Sequence, residues 1–120
     1  MGFIDTEHFI DRIGIMTELF RVGYSTTLLT WDSLGTYTMP AGAGKVFLVA
    51  VASTRYGGST TGGCRISYGG VVRCTADTEI LDPHIVTWVG DGLGYSAIVE
   101  VEGRGNGASN ANMAATASYS

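Results

Sequence analysis

The chain has 120 residues, of which 45% are hydrophobic and 15% are charged, and its formal net charge is -4. This length predicts a single domain built around one core. The seven lysine and arginine residues are scattered along the sequence and form no basic stripe. Because nucleic-acid binding needs clustered cations that face phosphates, we expect no nucleic-acid partner.

The sequence leads us to expect neither a membrane span nor a secretory signal. No apolar run approaches the roughly 20 residues that cross a bilayer, and Asp5, Glu7 and Asp11 interrupt the start of the chain. We therefore expect no membrane partner and synthesis in the cytoplasm. In contrast, the 18 glycines and the low charge are typical of extracellular domains made of short strands and tight turns. A virus particle reconciles the two features, because its parts are made inside the host and act outside it.

Residues 6–20 fit both a helix and a strand. Apolar residues recur at helical spacing from Phe9 to Phe20, while Ile13 and Ile15 begin an alternating pattern. We predict a short helix or an extended arm that leads into a strand over residues 15–22.

Residues 1–24 are predicted to be this arm or first element, and residues 25–120 to be the main domain. We expect the arm to bind a partner subunit through its apolar side chains, with packing on the chain's own core as the alternative. These side chains are Phe3, Ile4, Phe9 and Ile10.

The rest of the chain predicts a regular series of short strands. They are expected near residues 26–31, 36–39, 46–52, 85–89, 95–102 and 113–119, with a hairpin of two strands over residues 64–74. The continuous apolar run at 46–52 favours a central strand that is covered on both faces. Residues 95–102 instead alternate, as in a half-solvated antiparallel strand. The fold class is therefore all-β, a single antiparallel β-sandwich of about eight strands.

Residues Cys64 to Cys74 read as a β-hairpin that turns at Gly69 and Gly70. A three-residue loop that includes Tyr68 would set the two cysteines opposite each other, where a cross-strand disulfide is conceivable. The alternative is two reduced, buried cysteines, which cytoplasmic synthesis favours.

Two candidate sites for chemistry can be assembled from polar residues, and each is weak. Ser67, His84 and Asp82 could form a triad, but the sequence has no Gly-x-Ser-x-Gly elbow. Asp77, Glu79 and Asp82 could hold calcium, but they lack the spacing of a calcium-binding loop and fit a solvated loop better. We therefore expect no enzymatic activity, no metal and no cofactor.

Four aromatic residues could form a sugar-stacking platform, since aromatic faces suit pyranose rings. Packing in the core or beside turns is the other interpretation, and the sequence does not place the four on a common face. They are Trp31, Tyr56, Trp88 and Tyr95.

Residues 37–52, 66–72 and 115–120 resemble segments of Gly-rich β-sandwich domains in bacteriophage virion proteins and some bacterial surface proteins. In those domains a strand ending in Pro-Ala-Gly leads into an apolar central strand, a Tyr-Gly-Gly hairpin follows, and an Ala-Ser-Tyr-Ser-like strand closes the sheet. The resemblance implies a jelly-roll-like or immunoglobulin-like sandwich with a role in a particle or fibre. It implies no catalytic residues.

These observations lead to the hypothesis of a structural protein in a phage virion, in particular a decoration protein that binds the major capsid protein. By analogy with such proteins, a homo-oligomer such as a trimer is expected. The alternative is a carbohydrate-binding or adhesion module, such as a tail or receptor-binding accessory protein. A hydrolase would need a convergent Ser, His and carboxylate in one pocket.

Overall fold

A computed structural model describes residues 16–54, 62–77, 84–105 and 111–120. The predicted arm residues Phe3, Ile4, Phe9 and Ile10 lie outside these ranges. The described residues form eight strands and contain no helix, which confirms the all-β prediction. They therefore include no long apolar helix that could cross a membrane. The strands are β1 (Thr17–Thr26), β2 (Asp32–Met39), β3 (Lys45–Thr54), β4 (Gly63–Tyr68), β5 (Val71–Asp77), β6 (His84–Asp91), β7 (Ala97–Arg104) and β8 (Ala111–Tyr119).

Two four-stranded sheets make up the sandwich. Sheet A has the order β1-β8-β3-β6 and sheet B the order β2-β7-β4-β5, and all neighbours pair antiparallel. Strand β1 thus pairs with β8, β2 with β7, β3 with β6 and β4 with β5, as in one long folded hairpin. The first and third of these pairs lie in sheet A, and the second and fourth lie in sheet B. This arrangement is an eight-stranded jelly roll, so the jelly-roll alternative within the sandwich prediction is confirmed.

The core lies between the two sheets and comes from alternate residues of each strand. Val46, Leu48, Val99 and Val101 are all fully buried. Each such side chain stabilises the fold by about 1.5–3 kcal/mol relative to an exposed one. Aromatic pairs close the two sides of the sandwich. Phe20 of β1 stacks on Tyr37 of β2 with ring centroids 4.2 Å apart, and Tyr68 of β4 meets Trp88 of β6 edge to face at 6.1 Å.

The apolar strand β3 is central in sheet A, as predicted, but it is covered on one face only by the described residues. Its inward side chains are buried, whereas Phe47, Val49 and Val51 on the outer face remain partly exposed. The prediction of cover on both faces is therefore wrong for this part of the structure, because no described element packs on the outer face of sheet A.

One predicted strand is absent from the described residues. The predicted strand over residues 26–31 is wrong, because β1 ends at Thr26 and the next residues form a loop. The Thr26 hydroxyl accepts a hydrogen bond from the Leu28 N–H at 3.0 Å, and the Leu28 carbonyl accepts one from Gly105. These local bonds satisfy backbone groups outside a sheet ladder. The predicted division between residues 24 and 25 falls inside β1.

The hairpin between β4 and β5 turns at Gly69 and Gly70, as predicted. Their φ angles of 65° and 79° are both positive, which is the requirement of a two-residue turn that follows the twist of the strands. Arg73 is then an extra residue on β5, a β-bulge. The short turn and the bulge shift the register, so Cys64 lies opposite Ala76 rather than Cys74. The predicted opposition of the cysteines is wrong, and both are free and buried.

Candidate functional site

The outer face of sheet B carries an ordered array of polar side chains. The alternation predicted for residues 95–102 is confirmed, because Ala97, Val99 and Val101 are buried while the residues between them point outward. Strand register places Ser67 of β4 opposite Glu100 of β7. Two residues further along the same pair of strands, Arg65 of β4 lies opposite Glu102 of β7.

A surface cavity of about 260 Å³ opens on this face, and its lining residues are Ser67, Gly70, Ile98 and Glu100. The hairpin turn forms one wall because the Gly69 N–H donates a hydrogen bond to the Ile98 carbonyl at 3.1 Å. Ile98 is 50% exposed and supplies the apolar part of the wall. The cavity therefore combines a hydroxyl, a carboxylate and an aliphatic surface.

A second hydroxyl flanks Glu100 on its other side. Thr36 of β2 lies opposite Glu100 in the β2–β7 ladder and is exposed. The sheet thus presents Thr36, Glu100 and Ser67 in one row across three adjacent strands. Neighbouring strands are about 4.8 Å apart, so the row places an acceptor between two groups that both donate and accept hydrogen bonds.

A partly buried ion pair lies beside this row. Arg65 Nε donates to Glu102 Oε1 at 2.9 Å and Arg65 Nη2 donates to Glu102 Oε2 at 3.4 Å. The side chains are 29% and 18% exposed, so solvent screens the pair only in part. The two parallel bonds hold both side chains in one geometry, which gives that side of the face a rigid polar border.

Trp31, which immediately precedes β2, lies at the end of the ion-pair row. Two guanidinium carbons approach its ring centroid, Arg65 at 4.2 Å and Arg104 at 4.6 Å. Cations near an indole ring at these distances are attracted by its π electrons. The ring is therefore occupied by the protein's own side chains. Arg104 Nε is buried and has no hydrogen-bond partner among the described residues.

The other predicted platform residues do not join Trp31. Trp88 points into the sandwich, where it contacts Tyr68 and lies 5.2 Å beneath the guanidinium of Arg73. Tyr95 is 58% exposed in the loop that follows β6, and Tyr56 lies outside the described residues. The three described aromatic residues therefore form no common stacking surface.

The predicted triad and calcium loop lie partly outside the described residues, which exclude Glu79 and Asp82. His84 begins β6 in sheet A, and its Nδ1 accepts a hydrogen bond from the Asp77 N–H at 3.0 Å. Ser67 instead faces outward from sheet B. In the part of the chain that the structure describes, no group of three or more His, Cys, Asp or Glu residues could hold a metal ion.

The two cysteines face the core and not the outer face of sheet B. Burial raises the pKa of the Cys64 thiol to about 12, and the neighbouring Cys74 adds to the rise. Burial also raises the pKa of Cys74 to about 11, although a hydrogen bond with the Ile66 backbone opposes the shift. Both residues are therefore protonated at neutral pH and pack as small hydrophobic side chains.

The alternation predicted for residues 95–102 does not show that Glu100 and Glu102 lie opposite Ser67 and Arg65. The alternation along β7 and β4 was readable from the sequence. The register between the two strands was not, because β4 and β7 are far apart in the sequence and alternation within each strand does not show which residues pair.

No family model and no curated protein matches the sequence. Solved structures do match the fold. A CBM36-1 domain of a multidomain xylanase from the hindgut metagenome of Trinervitermes trinervoides aligns with a TM-score of 0.53 and 14% identity over 86% of this chain and 89% of that domain. A carbohydrate-binding module CBM36 in complex with calcium and xylotriose aligns with a TM-score of 0.51 and 12% identity over 88% and 99%. The C-terminal domain of the sugar-binding protein EclA aligns with a TM-score of 0.54 and 9% identity over 78% and 74%.

The chain therefore has the β-sandwich fold of carbohydrate-binding modules. At these identities the likeness establishes the fold alone, because one fold hosts many unrelated functions.

Proposed function

We propose that this protein binds carbohydrate through the outer face of sheet B and that it has no catalytic activity. The observation that carries the proposal is the cavity lined by Ser67, Ile98 and Glu100. A sugar ring presents hydroxyl groups at its edge and C–H groups on its faces. A concave site with a few fixed polar groups and an apolar wall suits such a ligand.

The Glu100 carboxylate accepts hydrogen bonds from two sugar hydroxyls, and such charge-assisted bonds are stronger than neutral ones. The hydroxyls of Ser67 and Thr36, on either side of Glu100, donate to or accept from the neighbouring sugar hydroxyls. Ile98 packs against the C–H groups. The Arg65–Glu102 ion pair borders the site, and the pairing holds both side chains away from the cavity.

The fold supports the same proposal. Three structures that align over most of this chain bear the names of carbohydrate-binding modules or of a sugar-binding protein. Because fold-level likeness is an analogy, the assignment of the site rests on the outer face of sheet B in this chain.

A panel of neutral oligosaccharides, including xylo-, cello- and manno-oligosaccharides, tests the proposal by calorimetric titration. We expect saturable binding that Glu100→Gln weakens roughly tenfold, the effect of losing one charged hydrogen-bond acceptor. Glu18→Gln is the matched control, because Glu18 lies in β1 of the other sheet and forms an exposed ion pair with Arg21. Equal affinity in the two variants would place the ligand elsewhere, and no binding to any sugar would reject the proposal.

The second candidate is a structural subunit of a phage particle that contacts the major capsid protein. The observation that favours it is the exposure of Ile85 and Val89 on β6, each 63% exposed, since apolar surface of this kind suits contact with another subunit. Co-sedimentation with purified particles tests it. Removal of residues 1–12, with Phe3, Ile4, Phe9 and Ile10, should abolish co-sedimentation, and undiminished binding would reject the role of the arm.

A further inference from the structure

The four edge strands of the sandwich differ in one respect. Strands β1, β2 and β5 each carry a β-bulge, with Leu19, Leu34 and Arg73 as the extra residues. Strand β6 pairs with β3 in an unbroken register of eight residue pairs, from Lys45 with Asp91 to Ala52 with His84. Bulges protect sheet edges because they twist the edge away from a second strand. Strand β6 therefore lacks the protection that the other three edges have.

The side chains of β6 also lack the usual protection. Residues 85–90 contain no charged residue and no proline, the two devices that most often block an edge. Its outward residues Ile85 and Val89 are each 63% exposed. Among the described residues, β3 is the only strand that shares a backbone ladder with β6, and the one side-chain bond from β5 reaches only its first residue, His84. No described strand pairs with the other edge of β6.

The hydrogen-bond pattern identifies the backbone groups at this open edge. The Gly92 N–H donates to the Gly44 carbonyl at 2.9 Å, immediately beyond the β3–β6 ladder. In an antiparallel ladder, bonded and non-bonded residues alternate. The even-numbered residues of β6 therefore bond to β3, and the N–H and C=O groups of Ile85, Thr87 and Val89 face the open edge.

We propose that β6 pairs with β6 of a second copy of this chain, antiparallel and about a two-fold axis at Thr87. This register sets Thr87 opposite Thr87 of the second copy and Ile85 opposite Val89, so that about six backbone hydrogen bonds form. The same apolar side chains then meet on the outer face of the joined sheet. Moving the axis to Trp88 would instead place the Asp91 carboxylate opposite Ile85, which makes that register less favourable.

This association is independent of carbohydrate binding, because it uses sheet A and the proposed sugar site lies on sheet B. The result is an isologous dimer that carries two sugar sites. A ligand with several binding epitopes would then bind this dimer with higher avidity than the monomer.

Sedimentation velocity of the full chain tests the proposal, together with two pairs of variants. Thr87→Pro removes an N–H that faces the open edge and leaves the β3 ladder intact, whereas Thr87→Ala keeps that N–H. Because two hydrogen bonds are lost per dimer, the dissociation constant should rise roughly tenfold for the proline variant alone. Val89→Lys should weaken the dimer as well, whereas Val72→Lys, at a residue of the bulged edge β5 that is 49% exposed, should not.

A cross-link provides a readout that does not depend on affinity. In the proposed register the two Thr87 Cα atoms lie about 5.5 Å apart, within the range of a disulfide. Thr87→Cys should therefore form covalent dimers on mild oxidation, while Thr36→Cys, on the outer face of sheet B, should not. A monomeric wild-type chain at millimolar concentration would overturn the proposal. A dimer or trimer that is insensitive to Thr87→Pro and Val89→Lys, or equal cross-linking in both cysteine variants, would also overturn it.

Discussion

The phenol oxygen of Tyr68 accepts a hydrogen bond from the Leu93 N–H at 3.1 Å, although the Tyr68 side chain is fully buried. The bond joins the end of β4 to the loop that follows β6, and so it links the two sheets beside the hairpin turn. Because the wall of the cavity includes that turn, Tyr68 supports the site from within the core.

Tyr68→Phe should destabilise the fold by about 1–2 kcal/mol, because the Leu93 N–H would lose its acceptor in a partly buried position. Urea unfolding measures the loss. Tyr24→Phe is the matched control, since that ring is 38% exposed on β1 and should change stability by less than about 0.5 kcal/mol. Equal stability of the wild type and Tyr68→Phe would contradict the role of the bond.

The Arg65–Glu102 pair should contribute more to stability than an exposed ion pair. A double-mutant cycle with Arg65→Met and Glu102→Gln should give a coupling energy of about 1–2 kcal/mol, because the two bonds are charge-assisted and partly shielded from solvent. The reference cycle uses Lys45 and Asp91, whose side chains are 64% and 79% exposed. It should give at most about 0.5 kcal/mol. A coupling of the same size in both cycles would show that Arg65 and Glu102 are not held together in solution.

Substitution by alanine should change the stability of the fold differently at Gly63, in the inner strand β4, and at Gly23, in the edge strand β1. A Cβ at Gly63 would lie 2.2 Å from the Ala76 carbonyl oxygen on the paired strand, so backbone would have to move. We expect Gly63→Ala to destabilise the fold by about 2 kcal/mol or more. A Cβ at Gly23 meets nothing within 4 Å, and Gly23→Ala should be neutral or slightly stabilising. Thermal unfolding compares them, and a neutral Gly63→Ala would contradict the β4–β5 register.

The buried thiols should make the fold less stable at high pH. Their folded-state pKa values of about 12 for Cys64 and about 11 for Cys74 lie above the ordinary value of 9.0, so the folded chain holds more protons than the unfolded chain above that value. The stability that they contribute is therefore fully present below pH 9.0 and is lost as the pH rises through about 11 to 12.

Urea midpoints measured near neutral pH and at about pH 10 check this expectation. The wild type should lose more stability over that interval than a variant with both Cys64→Ala and Cys74→Ala, in which other groups titrate as before. Identical losses would mean that the thiols are accessible in the folded chain.

Local patterns in the sequence were enough to predict much of the fold. Alternation over residues 97–102 marked the inward and outward sides of β7, and Gly69-Gly70 marked the tight turn. The extra residue at Arg73 left no local signal, because a bulge depends on how the partner strand pairs. The error in the cysteine register follows from this bulge and from the two-residue turn, which is one residue shorter than the predicted loop.

The candidate site was harder to predict, because its members come together only through long-range pairing. Trp31 contacts Arg65 and Arg104, which belong to distant parts of the chain. The sequence left open whether Trp31 joins a sugar-stacking platform or packs against the protein, and the two guanidinium groups lie over its ring. The apolar run of β3 also led to the expectation of cover on both faces, whereas the described residues cover one face only, since residue type alone does not show which face another element covers.

The proposal of carbohydrate binding is tested most directly by a nuclear magnetic resonance titration with the oligosaccharide that binds most tightly. Amide shifts should saturate and concentrate at Ser67, Ile98 and Glu100, with residues of sheet A unchanged. Saturating shifts confined to sheet A, or no shifts with any sugar of the panel, would contradict the assignment of this face.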